Sequence, residues 1–230
     1  MAGGSNSFEG GTNGVAVSVG NSGGASGDAF NEVSGLTYAN AQAAHGALSG
    51  SCGSNGYGAL AMSGSGTRWA RMYIRATSWS NPSSIESMRM IFGTRYFSAR
   101  PNASGLVEIK YFNGSSDSLQ ATGAVAAATS QWIRLEIQVS TPASSPASCT
   151  VRLYNDADSL TPSETITDAS TAITTGTWSQ ALFGYNVSFG GTAHIDSVAW
   201  SDVDWLGPIL PNPPTLPPPY PTAAHRASRW

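Results

Sequence analysis

The chain has 230 residues, a formal net charge of −3 and only 11% charged side chains. Its hydrophobic fraction of 40% excludes wholesale disorder, which requires low hydrophobicity together with high net charge. The 11 basic side chains form no cluster able to neutralise a run of phosphates, so nucleic acid is not expected as a partner.

The first residues, MAGGSNSFEGG, predict no targeting element. They contain neither a basic nor an apolar stretch, so no secretory signal is expected. No part of the chain approaches the roughly 18 consecutive apolar residues of a membrane-spanning helix. We therefore expect no membrane insertion.

Alternating apolar and polar residues predict half-buried antiparallel strands. In Trp69–Ala76 the apolar side holds Ala70, Met72, Ile74 and Ala76, and the other side holds Trp69, Arg71, Tyr73 and Arg75. The same pattern, or a similar one, predicts strands at Leu106–Phe112, Trp132–Val139, Val151–Tyr154, Ala181–Phe189 and His194–Trp200. Ala121–Ser130 is compatible with a strand or a loop. Turn signals such as Asn113-Gly114 and Gly190-Gly191 separate these segments, which predicts an all-β sandwich or barrel.

Cys52 and Cys149 are the only cysteines, and their surroundings predict no zinc site. Cys149 alternates with Val151 and Leu153, which places it on a core-facing side, whereas Cys52 lies in a Gly/Ser-rich stretch that predicts a turn. The lack of a secretory signal favours two free thiols, and a disulfide between them remains an open alternative.

A proline-rich segment follows Trp205. Eight of the 14 residues from Pro208 to Pro221 are proline, which cannot donate to a sheet and favours polyproline II. We predict a β-sandwich domain at 1–206 and an extended arm at 207–230. The residues of the arm predicted to make assembly contacts are Tyr220, Pro221, His225, Arg226, Arg229 and Trp230.

Several stretches resemble concanavalin A-like domains of minor tail and other virion proteins of actinobacterial phages. They include NSFEGGTNGVAVSVGNSGGASGDAFNEV, TYANAQAAHGALS, QWIRLEIQV, VRLYNDADSLTPSETIT and AHIDSVAWSDVDWLGP, and together they span about residues 6–208. The resemblance implies a jelly-roll sandwich in which the first and last strands meet. It also implies a role in the virion.

Enzymatic chemistry finds little support in the sequence. Glycoside hydrolysis needs two carboxylates about 5–9.5 Å apart, but the six glutamates, at positions 9, 32, 86, 108, 136 and 164, show no paired spacing. Ser63-Gly64-Ser65-Gly66 predicts a turn rather than a nucleophile elbow. We therefore expect no catalytic residues, no cofactor and no enzyme.

Two binding sites remain as hypotheses. Trp69, Arg71, Tyr73 and Arg75 share one strand face, and Trp79 follows; aromatic rings and guanidinium groups suit a glycan site, although the same residues could pack beneath a loop. Asn155, Asp156 and Asp158 could hold calcium, but such side chains more often cap a turn.

The leading functional hypothesis is a structural virion protein of a phage: a minor tail, fibre or decoration subunit, attached through its C-terminal arm. Its expected partners are other virion proteins and further copies of itself, with possible adhesion to host surface glycans. It would be assembled in the host cytoplasm and reside in the particle. The alternative is a carbohydrate-binding module for cell-wall polysaccharide, and the third hypothesis is a glycan depolymerase.

Overall fold

The computed structural model describes residues 2–79, 87–140, 147–171, 176–184 and 192–209. This part of the chain forms thirteen strands, one 3-10 turn at Val19–Asn21 and no α-helix. The strands are β1 (Gly3–Asn6), β2 (Glu32–Ala39), β3 (Ser49–Ala61), β4 (Arg68–Ala76), β5 (Met88–Phe92), β6 (Arg95–Pro101), β7 (Leu106–Phe112), β8 (Asp117–Ala126), β9 (Trp132–Ser140), β10 (Ala147–Tyr154), β11 (Glu164–Thr171), β12 (Trp178–Phe183) and β13 (Ala193–Ser201). Within the same ranges, no helix has the length and apolar character needed to cross a membrane.

The strands form one antiparallel sheet that folds over on itself. Their order is β11-β10-β9-β4-β13-β3-β12-β5-β6-β7-β8, with β1 beside β13 and β2 beside β3. The first layer contains β11, β10, β9, β4 and β13, with β1 beside β13. It packs against the second layer, which contains β12, β5, β6, β7 and β8, and β11 lies beside β8. The predicted jelly-roll sandwich is thus confirmed, and so is the meeting of its first and last strands, since Gly3 pairs with Ser201 and Asn6 with Val198.

The core lies between the two layers. Strand alternation sends every second side chain inward, and the inward set is apolar on both sides. The first layer contributes Met72, Ile74, Ile133, Leu135, Ile137, Cys149, Val151 and Ile195, and the second contributes Met88, Met90, Phe92, Phe97, Val107, Ile109 and Phe183. Each large side chain buried in this way stabilises the fold by about 1.5–3 kcal/mol.

Strand β3 joins the two layers. Its first part, at Gly50–Cys52, pairs with β13, and its last part, at Gly58–Ala61, pairs with β12. Between them the chain passes so close to its neighbours that a Cβ at Gly56 would lie 2.8 Å from the Cα of Cys52. Glycine is therefore required where the chain changes layers.

The N-terminal motif Phe8-Glu9-Gly10-Gly11 is structural. Phe8 is fully buried with a φ of 64°, and its ring centroid lies 5.5 Å from that of Phe30. A Cβ at Gly11 would lie 2.2 Å from the ring of Tyr38, so only glycine fits there. The carboxylate of Glu9 accepts hydrogen bonds from the amides of Ala47 and Leu48. The motif thereby closes the N-terminal end of the core and fixes a distant loop.

The structure confirms five predicted strands, as β4, β7, β9, β10 and β13, with small shifts at their ends. Ala121–Ser130 resolves into the end of β8 and a following loop, because residues of β8 as far as Ala126 pair with β7. The segment predicted at Ala181–Phe189 begins earlier, as β12 at Trp178, and its residues from 185 lie outside the described residues.

Both cysteines are free and buried. Cys149 faces the core, as predicted. Cys52 lies within β3, not in a turn, because its Gly/Ser-rich surroundings accommodate the close strand crossing. Burial raises the pKa of the Cys52 thiol to about 12, so this thiol is protonated at physiological pH.

Candidate functional site

The outward face of the first layer carries ordered rows of polar and aromatic side chains. One row runs Asp196, Tyr73, Arg134 and Tyr154 across β13, β4, β9 and β10. The next runs Arg71, Glu136 and Arg152. A sheet face of this composition normally faces water. Here most of it is buried, because two loops and the C-terminal segment lie across it.

Arg134 fixes the first of these loops, residues 155–163. Its side chain is fully buried, stacks 3.7 Å from the ring of Tyr154 and pairs with Glu136 at 3.1 Å. Its terminal nitrogens donate to the carbonyl oxygens of Ala157 and Ser159. A buried charge is tolerated only when it is paired and hydrogen-bonded, and this loop supplies the required acceptors.

Asp196 fixes the second loop, residues 40–48. Its carboxylate accepts hydrogen bonds from the amides of Ala44, at 2.8 Å, and His45, at 3.1 Å. A bulge in β13, where Ser197 has a φ of 49°, interrupts the pairing with β4 immediately after Asp196. With Glu9 at the other end of the loop, two carboxylates anchor four of its amides.

The C-terminal segment of the described chain also crosses this face. The ring of Trp205 lies 3.8 Å from the guanidinium carbon of Arg152, and the carbonyl oxygen of Gly207 accepts from Arg71 at 3.0 Å. The amide of Ile209 donates to the phenol oxygen of Tyr73 at 2.9 Å. Residues 207–209, the first of the predicted arm, thus lie on the sandwich.

A pocket of about 360 Å³ opens between the two loops, over the adjacent ends of β4 and β9. It is lined by Ala44, His45, Tyr73, Gln131, Trp132, Asn155, Asp156, Ala157 and Asp158. Trp132 is half-buried within this lining and pairs across the strands with Arg75. The walls therefore combine an aromatic surface with amide, imidazole and carboxylate groups.

His45 is the side chain in this pocket best suited to proton transfer. Its ring packs edge-on against Tyr73 with centroids 4.6 Å apart, and its Nε2 lies 3.5 Å from an oxygen of Asp158. Burial lowers the pKa of His45, although the Asp158 carboxylate opposes the shift. The imidazole is therefore neutral at pH 7, the form that can accept a proton.

The structure separates the predicted glycan residues. Tyr73 lines the pocket, and Arg75 lies beside it, opposite Trp132. Arg71 is buried beneath the C-terminal segment, and Trp69 lies further along β4, outside the pocket lining. Trp79 belongs to the core and donates its indole N–H to the carbonyl oxygen of Ala127. The five residues therefore do not line one pocket, and their role in glycan binding stays a prediction.

Of the three calcium candidates, Asp156 caps a local turn, Asn155 bridges to the loop after β8, and Asp158 lies near His45. The side chain of Asn155 accepts from the amide of Ala128 and donates to the carbonyl oxygen of Ala126, while Asp156 accepts from the amide of Asp158. The described ranges contain no group of three or more His, Cys, Asp or Glu residues placed to hold a metal ion. The predicted arm contacts at Tyr220, Pro221, His225, Arg226, Arg229 and Trp230 lie outside the described residues.

Sequence reasoning missed His45 and Gln131 as pocket residues, and it did not connect Trp132 with a site. His45 lies in the Ala/Gly-rich stretch TYANAQAAHGALS, which shows no period. Trp132 was identifiable as an outward aromatic residue, but its pairing with β4 depends on strand order. That order joins strands separated by more than 50 residues.

Comparison with known proteins identifies the fold. No family model matches the chain, and no curated protein matches its sequence. The alginate lyase Aly36B matches with a TM-score of 0.55 and 11% identity, over 88% of this chain and 98% of the lyase. The PL-14 alginate lyase from Aplysia kurodai matches with a TM-score of 0.57 and 9% identity, over 86% and 97%. The cellulose induced protein Cip1 matches with a TM-score of 0.57 and 14% identity, over 88% and 98%.

These likenesses show that the chain has the jelly-roll sandwich fold that the two alginate lyases and Cip1 also have. At such low identity they show the fold alone. The concanavalin-like part of the predicted resemblance is confirmed, and the phage part stays a prediction.

The expectation that the chain is not an enzyme was wrong. It rested on the absence of paired carboxylates, which is a criterion for glycoside hydrolysis. Polysaccharide lyases share this fold over nearly their whole length, so the missing pair excludes nothing about other cleavage chemistry. The pocket also brings together His45 and Tyr73, two groups that the sequence pattern did not connect.

Asp196 should make stability depend on pH. Burial raises the pKa of Asp196 to about 7 against 3.8 for an ordinary Asp, while the His45 and Ala44 amides oppose the shift. The folded state therefore holds this proton more tightly than the unfolded state, and the stability that this provides is lost as pH rises through 7. Between pH 5 and 8 the free energy of unfolding of the wild type should fall by about 2–3 kcal/mol more than that of Asp196→Asn.

The measurement is urea unfolding at several pH values. Asp196→Asn retains an acceptor for both loop amides, so it should fold normally. Asp204→Asn, at an exposed carboxylate, serves as the control and should follow the wild type. If the free energy of unfolding changed with pH in the same way for the wild type and Asp196→Asn, the raised pKa of Asp196 would be contradicted.

Proposed function

We propose that this chain is a polysaccharide-binding domain that holds a glycan in the pocket between the 40–48 and 155–163 loops. The proposal rests on one observation: the half-buried indole of Trp132 lines a pocket together with imidazole, amide and carboxylate groups. Its volume of about 360 Å³ is within the range of small-ligand sites.

The side chains suit a sugar because a pyranose has an apolar face and a polar rim. An aromatic ring such as that of Trp132 can pack against the C–H face. Carboxylates and amides accept from or donate to the hydroxyls, and here they come from Asp156, Asp158 and Gln131. Both loops are tied to the sheet by hydrogen bonds to buried side chains, so the walls are held in place before a ligand arrives.

The fold neighbours support this proposal over the virion hypothesis. Two of them are named as alginate lyases and one as a cellulose induced protein. The carbohydrate-binding alternative from the sequence is therefore preferred, with its site moved from the length of β4 to the pocket beside it.

A second candidate function is glycan cleavage at the same site. The specific observation is His45, a neutral imidazole in contact with the phenol ring of Tyr73 and near Asp158. A positioned imidazole of this kind can serve as a general base, and the adjacent carboxylate can stabilise the imidazolium that forms.

The virion role stays a prediction. It rests on the sequence resemblance over residues 6–208 and on the proline-rich composition of the arm. In this proposal the sandwich contacts glycans and residues 210–230 attach the protein to other virion proteins or to further copies of the chain. Assembly in the host cytoplasm and residence in the particle belong to the same prediction.

Trp132→Ala should weaken glycan binding at least tenfold, about 1.4 kcal/mol, because the stacking surface is lost. Binding is measured by calorimetry against purified cell-wall and plant polysaccharides. Trp69→Ala is the matched control, since Trp69 is also half-buried on the outward face but lies outside the pocket. Equal losses in both variants, or no binding by the wild type, would remove the proposal.

His45→Gln should retain binding while reducing any glycan cleavage by about a hundredfold or more, the usual contribution of a general acid–base group. Released oligosaccharides are quantified by chromatography. His194→Gln is the control, because that buried histidine contacts Ser49 and does not line the pocket. Absence of products from the wild type, or unchanged rates in His45→Gln, would rule out the second function.

Truncation after Ile209 should leave a folded domain that no longer enters phage particles. This end point retains the contacts of Gly207 with Arg71 and of Ile209 with Tyr73. The unfolding midpoint and the protein content of purified particles are measured together. A truncated chain that is incorporated like the full chain would refute attachment through the arm.

A further inference from the structure

Among the described residues, the charged groups that line the pocket are all acidic. Its lining includes Asp156 and Asp158 but neither lysine nor arginine. Both carboxylates are exposed, and the Asp158 side chain has 66% of its surface accessible. His45 adds no positive charge at pH 7, because burial lowers its pKa. A ligand in the pocket therefore meets two negative charges.

The buried arginines nearby are already engaged. Arg134 pairs with Glu136 and donates to two carbonyl oxygens of the 155–163 loop, so it lies behind the pocket wall. Arg71 donates to the carbonyl oxygens of Gly207 and Ser197. Neither guanidinium is free to bind an anion in the pocket.

Arg75 is a cation beside the pocket, opposite Trp132. It is half-buried, and its guanidinium group forms no hydrogen bond or ion pair with the other described residues. It lies outside the lining, however, and its single charge does not balance two carboxylates. The pocket remains net negative with Arg75 included.

Hydrogen-bond chemistry points in the same direction. An ionised carboxylate only accepts, so Asp156 and Asp158 need donors such as hydroxyl or ammonium groups. A uronate would place another acceptor-only group against them and add charge repulsion. A neutral sugar offers hydroxyls, and an amino sugar offers an ammonium group that also pairs with the carboxylates.

We propose that the pocket selects neutral or amino sugars and discriminates against uronates. This inference rests on the proposed glycan-binding function and names the ligand class of the same site. It separates this chain from the fold neighbours named as alginate lyases, because alginate is a polyuronate.

The test is a glycan array with oligosaccharides that differ in one substituent on a common β-1,4-linked backbone: cello-oligosaccharides, chitosan oligosaccharides and glucuronan oligosaccharides. The array also contains neutral and amino oligosaccharides with other backbones, each next to the uronate of the same backbone. We expect Trp132-dependent binding to neutral or amino members, with each matched uronate at least tenfold weaker.

The double variant Asp156→Asn with Asp158→Asn should reduce the difference in affinity between neutral or amino sugars and their matched uronates at least threefold. The amide side chains remove both negative charges and supply hydrogen-bond donors. It retains the acceptor for the Asp158 amide. Asp202→Asn with Asp204→Asn is the matched control: it makes the same change in net charge outside the pocket, retains the acceptors for the Ala2 and Trp205 amides, and should keep the wild-type preference.

The outcomes separate the two proposals. Uronates that bind as well as their neutral partners, in a Trp132-dependent manner, would overturn the charge selection and leave glycan binding intact. An unchanged preference in the Asp156/Asp158 double variant would also overturn the charge selection. Absence of Trp132-dependent binding to every series would overturn glycan binding itself.

Discussion

Ionisable side chains buried on the outward face of the first layer determine the architecture of the site. Arg134 and Asp196 are fully inaccessible to solvent, so each must find partners within the protein. Arg134 finds them in carbonyl groups of the 155–163 loop, and Asp196 finds them in amides of the 40–48 loop. The loops are therefore positioned by polar bonds to the sheet, while the apolar core holds the two layers together. If either charge lost its partners, one wall of the pocket would lose its anchor.

Because apolar packing holds the layers and polar bonds hold the loops, proteins that share this sandwich fold can differ in their binding sites. The inward residues satisfy a general requirement for apolar packing, which many sequences meet. The pocket depends instead on the lengths of two loops and on the few side chains that reach them, such as Glu9 and Asp196. Fold neighbours at 9–14% identity can thus share the layers and differ in the chemistry above them.

Much of the fold could be predicted from the sequence, because alternation marks both the strands and their inward sides, as in β4 and β9. The burial of the opposite side could not. Tyr73 belongs to a polar-looking side and yet is inaccessible, since a loop and the C-terminal segment cover it. The bond from the Ala44 amide to Asp196 spans 152 positions, and no local pattern reports such a contact. His45 was missed for the same reason.

The pairing of β1 with β13 also has a mechanical consequence. Gly3 lies opposite Ser201, and Ala2 and Asp202 bond to each other at the same end of the pair. Tension applied between residues 2 and 202 would open this ladder one bond at a time, which offers little resistance. Tension between a glycan in the pocket and the chain beyond Ile209 would follow a different path, through the contacts of Tyr73 and Arg71 with the C-terminal segment. An adhesive load of this second kind would bypass β1 and leave the sandwich closed.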